Sequence, residues 1–380
     1  MSQRETKETS APQNANGRPI TLPITPLHPA SSSLSGNTLW YKRDDLIPYA
    51  LGGNKVRIAA AFFQDMFEKG GTCMVGYGNV RSNLSRVLSW MAKKYGVKCY
   101  IISPDEPDNR SDAESRAHLG QSANTDATAL NDKPSQLFTL SDSAHLAGAD
   151  VMTFNRRLSL FYGANIIHCS KDAVAPCVES TINRLREEGE IPYYIYGNTF
   201  GKGNEAVPAA PYADVFSELS QQADALSIAP DYLFLPCGTG GTLAGLLYGK
   251  YLTDSSMNIV GISIARDREK ASSHVRTALH RLGEERKQAI PDAWIDHHLH
   301  IDDSYIAGGY GKYNESILDA IRTVLTADGI PLDPTYTGKT WWGMQQYLIK
   351  QDIKEKTVVF LHTGGLPLFF DLMEHLDINR

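Results

Sequence analysis

The sequence predicts an α/β protein built on largely parallel sheets, and two observations carry that expectation. Short runs rich in β-branched and aromatic residues alternate with amphipathic stretches of helical period, the pattern of strand–helix–strand units. A glycine-rich turn, Cys237-Gly238-Thr239-Gly240-Gly241-Thr242, follows the apolar run YLFLP and precedes an apolar helical stretch, where a strand-to-helix connection belongs. At 380 residues, 42% hydrophobic and 21% charged, the chain suits two globular domains or one large one.

Taken in order, residues 1–18 are polar, poor in aromatics and without the apolar core of a secretory signal, so they read as a loose tail. From Tyr49 the stretch YALGGNKVRIAAA sets Gly52, Gly53 and Asn54 ahead of Lys55 and an apolar helical run. Strand-like runs follow as TCMVGYG from Thr72, KCYIIS from Lys98, DVMTF from Asp150 and YYIYG from Tyr193. YLFLPCG from Tyr232, NIVGISIA from Asn258 and VVFLHTGG from Val358 complete the series. Leu84, Val87, Leu88, Met91 and Tyr95 share one helical face. Residues 104–144, rich in Ser, Asp, Asn and Ala, break the rhythm and read as a surface excursion with one short helix near 112–119.

Several function classes fall away. The formal net charge is −6 without an extended basic block, which disfavours nucleic acid as a partner. No apolar run reaches the ~18 residues of a membrane span. Five scattered cysteines with no C-x-x-C pair fit a reduced, cytoplasmic setting and no zinc ribbon. DHHLHIDD would align His298, His300 and Asp302 on one face if extended, but it reads better as a solvated edge strand, so no metal is expected.

The glycine turn is suited to phosphate. Its backbone N–H groups can converge on one point, and the following helix adds partial positive charge. It is no dinucleotide fingerprint, because Leu243 stands where G-x-G-x-x-G needs its last glycine. Nor does Gly338-Lys339-Thr340 close a P-loop, because Asp333 stands where the first glycine belongs. A phosphate cradle together with a lysine in a glycine-flanked turn suggests pyridoxal 5′-phosphate (PLP), which a lysine holds covalently. Burial would lower that lysine's pKa and favour the neutral amine.

GGNKVR, RSNLSR, CGTGGT, LDPTYTGKTWWGM and FLHTGGLP occur in this order between Leu39 and Leu368. Together they resemble PLP enzymes of the tryptophan-synthase β-like fold, within it the D-cysteine desulfhydrase and 1-aminocyclopropane-1-carboxylate (ACC) deaminase family. The resemblance implies two domains, each a mostly parallel twisted sheet flanked by helices, with PLP in the cleft between them. The large PLP-binding domain would comprise residues 19–57 and 195–380, and the small one residues 58–194. It makes Lys55 the PLP anchor and Cα base, with Asn54 a polar neighbour and Gly52 and Gly53 letting the backbone approach the cofactor. Ser82 would lie near the substrate and shuttle a proton, although a plain helix cap is the simpler role for a serine there. Asn83 would bond the ring hydroxyl, residues 237–242 the phosphate, and the helix start at Ser82 the substrate carboxylate. Tyr310 and Tyr336 would orient substrate or protonate a leaving group.

Thr337 stands where ACC deaminases carry the glutamate that faces the pyridine nitrogen, and Thr363 likewise follows the desulfhydrase pattern. A neutral hydroxyl there makes a weaker electron sink, which suits α,β-elimination of a β-substituted amino acid to pyruvate and ammonia. ACC deamination, β-replacement and a non-catalytic PLP-binding regulator are the alternatives. A small amino acid substrate and a homodimer are implied.

Three positions depart from the family pattern. Ile58 stands where relatives commonly carry a second lysine near the phosphate, leaving that charge to the glycine loop or to another cation such as Arg57. Leu84 replaces a polar residue, and Gly201-Lys202-Gly203-Asn204 replaces a G-G-S-N loop on the substrate side.

Overall fold

A computed structural model describes residues 20–104, 137–139 and 153–373. Its strands form two principal sheets. The larger takes β1 (Leu27–Leu34), β2 (Asn37–Arg43), β8 (Tyr232–Cys237), β9 (Asn258–Ser263), β10 (His300–Asp302) and β12 (Thr357–His362), in the order β1-β2-β12-β8-β9-β10. Only the β1–β2 hairpin in it is antiparallel. The smaller is wholly parallel: β3 (Cys73–Tyr77), β4 (Lys98–Pro104), β6 (Asn165–Cys169) and β7 (Pro192–Tyr194), in the order β6-β4-β3-β7. The backbone of β5 (Leu137–Thr139) pairs antiparallel with β11 (Lys312–Asn314).

Local sequence explains the elements that frame the site. Strands β3, β8 and β12 are near-continuous apolar runs because helices cover both faces of a parallel sheet. Helix α1 (Asn54–Glu68) starts behind Gly53 and buries Val56, Ala59, Phe62, Phe63 and Met66. Helix α2 (Asn83–Tyr95) is capped by Ser82, whose Oγ accepts from Ser85 N at 3.1 Å, and ends on Gly96 in the left-handed region. Its predicted apolar face is buried at Val87, Leu88, Met91 and Tyr95. One apolar core joins α1 and α2 to the smaller sheet and to α4 (Val174–Glu187), α5 (Ala210–Ala225) and α6 (Gly241–Thr253). A second lies under α9 (Glu315–Asp328) and α10 (Thr337–Lys350), around Ile321, Trp341, Met344 and Phe360.

Two local expectations are corrected. Of DVMTF only Thr153 and Phe154 are described, and neither is in a strand: Thr153 caps α3 (Phe154–Phe161), accepting from Arg156 N at 3.3 Å, and the next strand is β6. A hydroxyl in capping position outweighs the β-propensity of the neighbouring residues. His298, His300 and Asp302 share no extended face, because α8 (Asp292–His298) ends at the first and β10 starts at the second. His298 stacks on Trp294 at 4.1 Å and bonds its carbonyl oxygen. The hairpin β1–β2 was not foreseen; the serines of SSS hide its period. The tail 1–18 and the short helix near 112–119 lie outside the described residues, as does most of 104–144.

The carboxyl ends of strands from both sheets converge. Tyr77 and Gly78 at β3, Pro104 at β4, Gly238 at β8, Ile264 and Arg266 at β9, and Thr363 at β12 all border one cavity. Open α/β sheets place their ligands at such strand ends.

Candidate active site

The cavity measures about 430 Å³, a volume suited to a cofactor with a small substrate. Lys55, in the first turn of α1, lines it and is half-buried. Burial lowers its pKa from 10.5 to about 8, with Cys237 opposing weakly. Its neighbour Asn54 donates from Nδ2 to Thr242 Oγ1 at 3.1 Å and from its backbone N to Thr363 O at 3.0 Å. The lysine's turn is thereby tied to both the glycine loop and the end of β12. Gly52 and Gly53 serve that tie rather than an approach to cofactor. A Cβ at Gly52 would lie 1.9 Å from Asp45 O, and one at Gly53 2.7 Å from Thr363 O, with φ at +69° and +98°.

Gly238, Thr239, Gly240 and Thr242 also line the cavity; Cys237 and Gly241 do not. Gly241 lies against Pro208, and the Cys237 thiol is buried and pushed up to about 12. Gly240 needs its glycine for conformation, with φ +90° and Val275 Cγ2 only 2.7 Å from a built Cβ. Gly238 does not: a Cβ there meets nothing closer than 3.7 Å, and its neighbours Ile264 and Tyr336 also line the cavity. The absent side chain leaves a cradle that a phosphate on the α6 N-terminus would fill, so the residues present fit PLP.

Ser82 and Asn83 line the cavity from the start of α2. Ser82 is a helix cap and a cavity residue at once, since its Oγ accepts from Ser85 N and its own proton stays available to donate. Asn83 Oδ1 accepts from Asn155 Nδ2 at 3.0 Å, which turns the Asn83 amide donor the other way. Tyr310 and Tyr336 line the cavity and their hydroxyls meet at 2.8 Å. Burial holds Tyr336 protonated, its pKa well above 10. Thr363 and the apolar Leu84 complete this part of the lining.

Two expected residues and one expected loop are placed elsewhere. Thr337 is fully buried outside the lining, and its Oγ1 donates to Asp333 Oδ2 at 2.8 Å while accepting from Asp333 N at 2.8 Å. Asp333, which also accepts from the backbone N of residues 335, 336 and 337, holds that hydroxyl because it caps α10. Arg57 turns into a buried charge cluster with Asp44 at 3.2 Å and Glu218 at 3.3 Å, which Lys42 also joins. Residues 201–204 do not line the cavity; Asn204 Nδ2 donates to Tyr194 O at 3.1 Å, and Tyr196 and Pro208 take the wall instead.

Sequence reasoning missed Arg266 and Lys339. Arg266 lines the cavity and donates from Nη1 to Gly238 O. Lys339 is fully buried, its Nζ donating to Ile264 O at 2.9 Å, Ile306 O at 2.7 Å and Gly309 O at 2.8 Å. Burial draws its pKa down to about 7, yet three acceptors match the three N–H bonds of the ammonium form. It ties α10 to the segments carrying Arg266 and Tyr310. Among the described lining residues no side chain is a carboxylate.

A family model described as pyridoxal-phosphate dependent enzyme matches residues 20–123 and 142–364. D-cysteine desulfhydrase of Salmonella paratyphi A is 25% identical over 355 residues, covering 93% of this chain and 94% of its own. A Pyrococcus abyssi protein provisionally named 1-aminocyclopropane-1-carboxylate deaminase is 28% identical over 365 residues, covering 94% and 93%. The crystal structure of an ACC deaminase homologue shares the fold with TM-score 0.72 at 24% identity, covering 93% and 92%.

Proposed function

The chain belongs to the family of pyridoxal-phosphate dependent enzymes, and we propose that it is a lyase carrying out α,β-elimination on a β-substituted amino acid. The β-group leaves, and the aminoacrylate then takes up water to give pyruvate and ammonia; a relative of similar length is named D-cysteine desulfhydrase. The observation that carries this reading is the cavity that Lys55 and the Tyr310–Tyr336 pair line together, with no carboxylate among its described lining residues.

Bound PLP supplies an electron sink for the carbanion at Cα. Lys55 would hold it, and its amine, shifted toward the neutral form by burial, is the group placed to take the Cα proton at Nζ. The N–H groups of residues 238–242 and the α6 N-terminus hold the phosphate. Asn83 Nδ2 would donate to the ring hydroxyl, and Thr363, which lines the cavity where Thr337 does not, would offer the ring nitrogen a neutral neighbour. The N–H groups at the start of α2 bind the substrate carboxylate, with Ser82 Oγ beside it. Tyr310 and Tyr336 pass a proton to the departing β-group. Opening an unactivated cyclopropane needs a stronger sink, which a lining carboxylate would provide, so ring opening is the second reading.

The larger sheet, with residues 19–57 and 195–380, forms the cofactor domain in this reading, and residues 58–194 the smaller one. Buried thiols at Cys73, Cys99 and Cys237 support a reducing, cytoplasmic setting. A homodimer is the simplest assembly. The test is a panel of D- and L-cysteine, β-chloroalanine, cysteate and ACC with keto-acid detection. Keto acid from at least one β-substituted substrate is expected; turnover of ACC alone would overturn the elimination reading.

A further inference from the structure

Ile58 lines the cavity at a position where the family resemblance implies a lysine beside the phosphate, and Arg57 does not supply that charge. Its guanidinium is matched by Asp44 and Glu218 behind α1. Among the described lining residues only Lys55 and Arg266 are lysine or arginine. Lys55 would be taken up in the covalent link to the cofactor and would offer the phosphate no free ammonium. A phosphate dianion would then be left with the partial charge of one helix N-terminus, about half a unit.

Arg266 is built into the phosphate loop. Its Nη1 donates to Gly238 O, on the first glycine of the turn. Its own carbonyl accepts from Ser263 Oγ at 2.6 Å, and the next residue, Asp267, caps α7 (Arg268–Glu285) by accepting from Lys270 N at 2.8 Å. The backbone that presents the side chain is thus pinned on both sides. Arg266 makes no ion pair among the described residues. The titratable groups that feel its charge are Tyr77, Tyr196 and Cys237, all kept neutral by burial. A guanidinium has five N–H donors, so one bond to a carbonyl leaves donors for an anion.

We propose that Arg266 is the side-chain cation that neutralises the cofactor phosphate in this chain, in place of the residue that Ile58 displaces. The proposal rests on the assignment of the 238–242 loop to phosphate, and it adds a residue that lies outside the sequence motifs.

The test compares PLP with pyridoxal, which lacks the phosphate, as ligands of cofactor-stripped wild type, R266Q, R266K and R266Q/I58K, read by absorbance titration. Wild type prefers PLP. R266Q weakens PLP roughly 10- to 100-fold and leaves pyridoxal within about twofold. R266K falls between, and I58K in the R266Q background recovers PLP affinity. Equal loss for both ligands would make Arg266 a structural residue and overturn the proposal. So would an unchanged PLP-to-pyridoxal ratio, even with weaker substrate binding. A wild type without preference for PLP would overturn the loop assignment and the proposal with it, while leaving elimination by a phosphate-independent route to be judged by the substrate panel.

Discussion

The phenol oxygens of Tyr310 and Tyr336 lie 2.8 Å apart, one donating to the other. The two residues come from separate segments, the turn before β11 and the cap of α10, and both border the cavity of Lys55. A proton given by one hydroxyl can be restored through the other.

That pairing predicts leaving-group dependence. Y336F lowers kcat for cysteine about 100-fold, because a thiolate leaves better when protonated. It changes β-chloroalanine turnover little, because chloride departs without a proton. Y310F/Y336F costs no more than the worse single change, because the two act as a unit. Steady-state keto-acid assays on both substrates check this; equal losses on both would count against a proton relay.

Cofactor capture should track the protonation of Lys55. Only the neutral amine reacts, and burial lowers its pKa from 10.5 to about 8. Uptake of PLP by the stripped protein therefore rises with pH through about 8 and levels off above it. Stopped-flow absorbance at a series of pH values measures the midpoint; one near the ordinary lysine value would contradict the burial argument.

Gly238 and Gly240 should part company on substitution. G238A leaves the thermal midpoint of the cofactor-free protein nearly unchanged, since a Cβ there has room, but fills the cradle and weakens PLP at least tenfold. G240A strains a φ of +90° and crowds Val275, costing about 1–3 kcal/mol of stability. Denaturant melts and cofactor titrations of both variants separate the two effects.

Lys339 should matter without touching ligand. K339M leaves the carbonyls of Ile264, Ile306 and Gly309 without their donor, each worth about 1–3 kcal/mol when buried. Stability falls by several kcal/mol, and turnover falls as the Tyr310 segment loosens. Chemical denaturation with parallel kcat and KM measurements distinguishes this from loss of a binding contact, which would raise KM alone.

The parts of this site legible in the sequence are those with local signatures. Lys55 stood out behind two glycines, and the 238–242 turn stood out between a strand and a helix. Thr337 could not be oriented from sequence, because its direction is set by Asp333 reaching forward to cap α10. Arg266 lay hidden in ARDREK, which reads as a solvated charge run; only the neighbouring end of β8 turns it inward. Lys339 looked like the end of a failed P-loop, and its three acceptors come from segments 30 to 75 residues away. In the fold, apolar parallel strands announced themselves, whereas the half-exposed β1 and the cap at Thr153 depend on partners that no local period reveals.

The central claim is that Lys55 holds the cofactor in this cavity, and borohydride reduction of the PLP-loaded protein followed by peptide mass mapping tests it directly. One phosphopyridoxyl group per chain is expected, on the peptide containing Lys55, and none on K55A. A label on Lys339, the other lysine with a strongly lowered pKa, or no label at all, would contradict it.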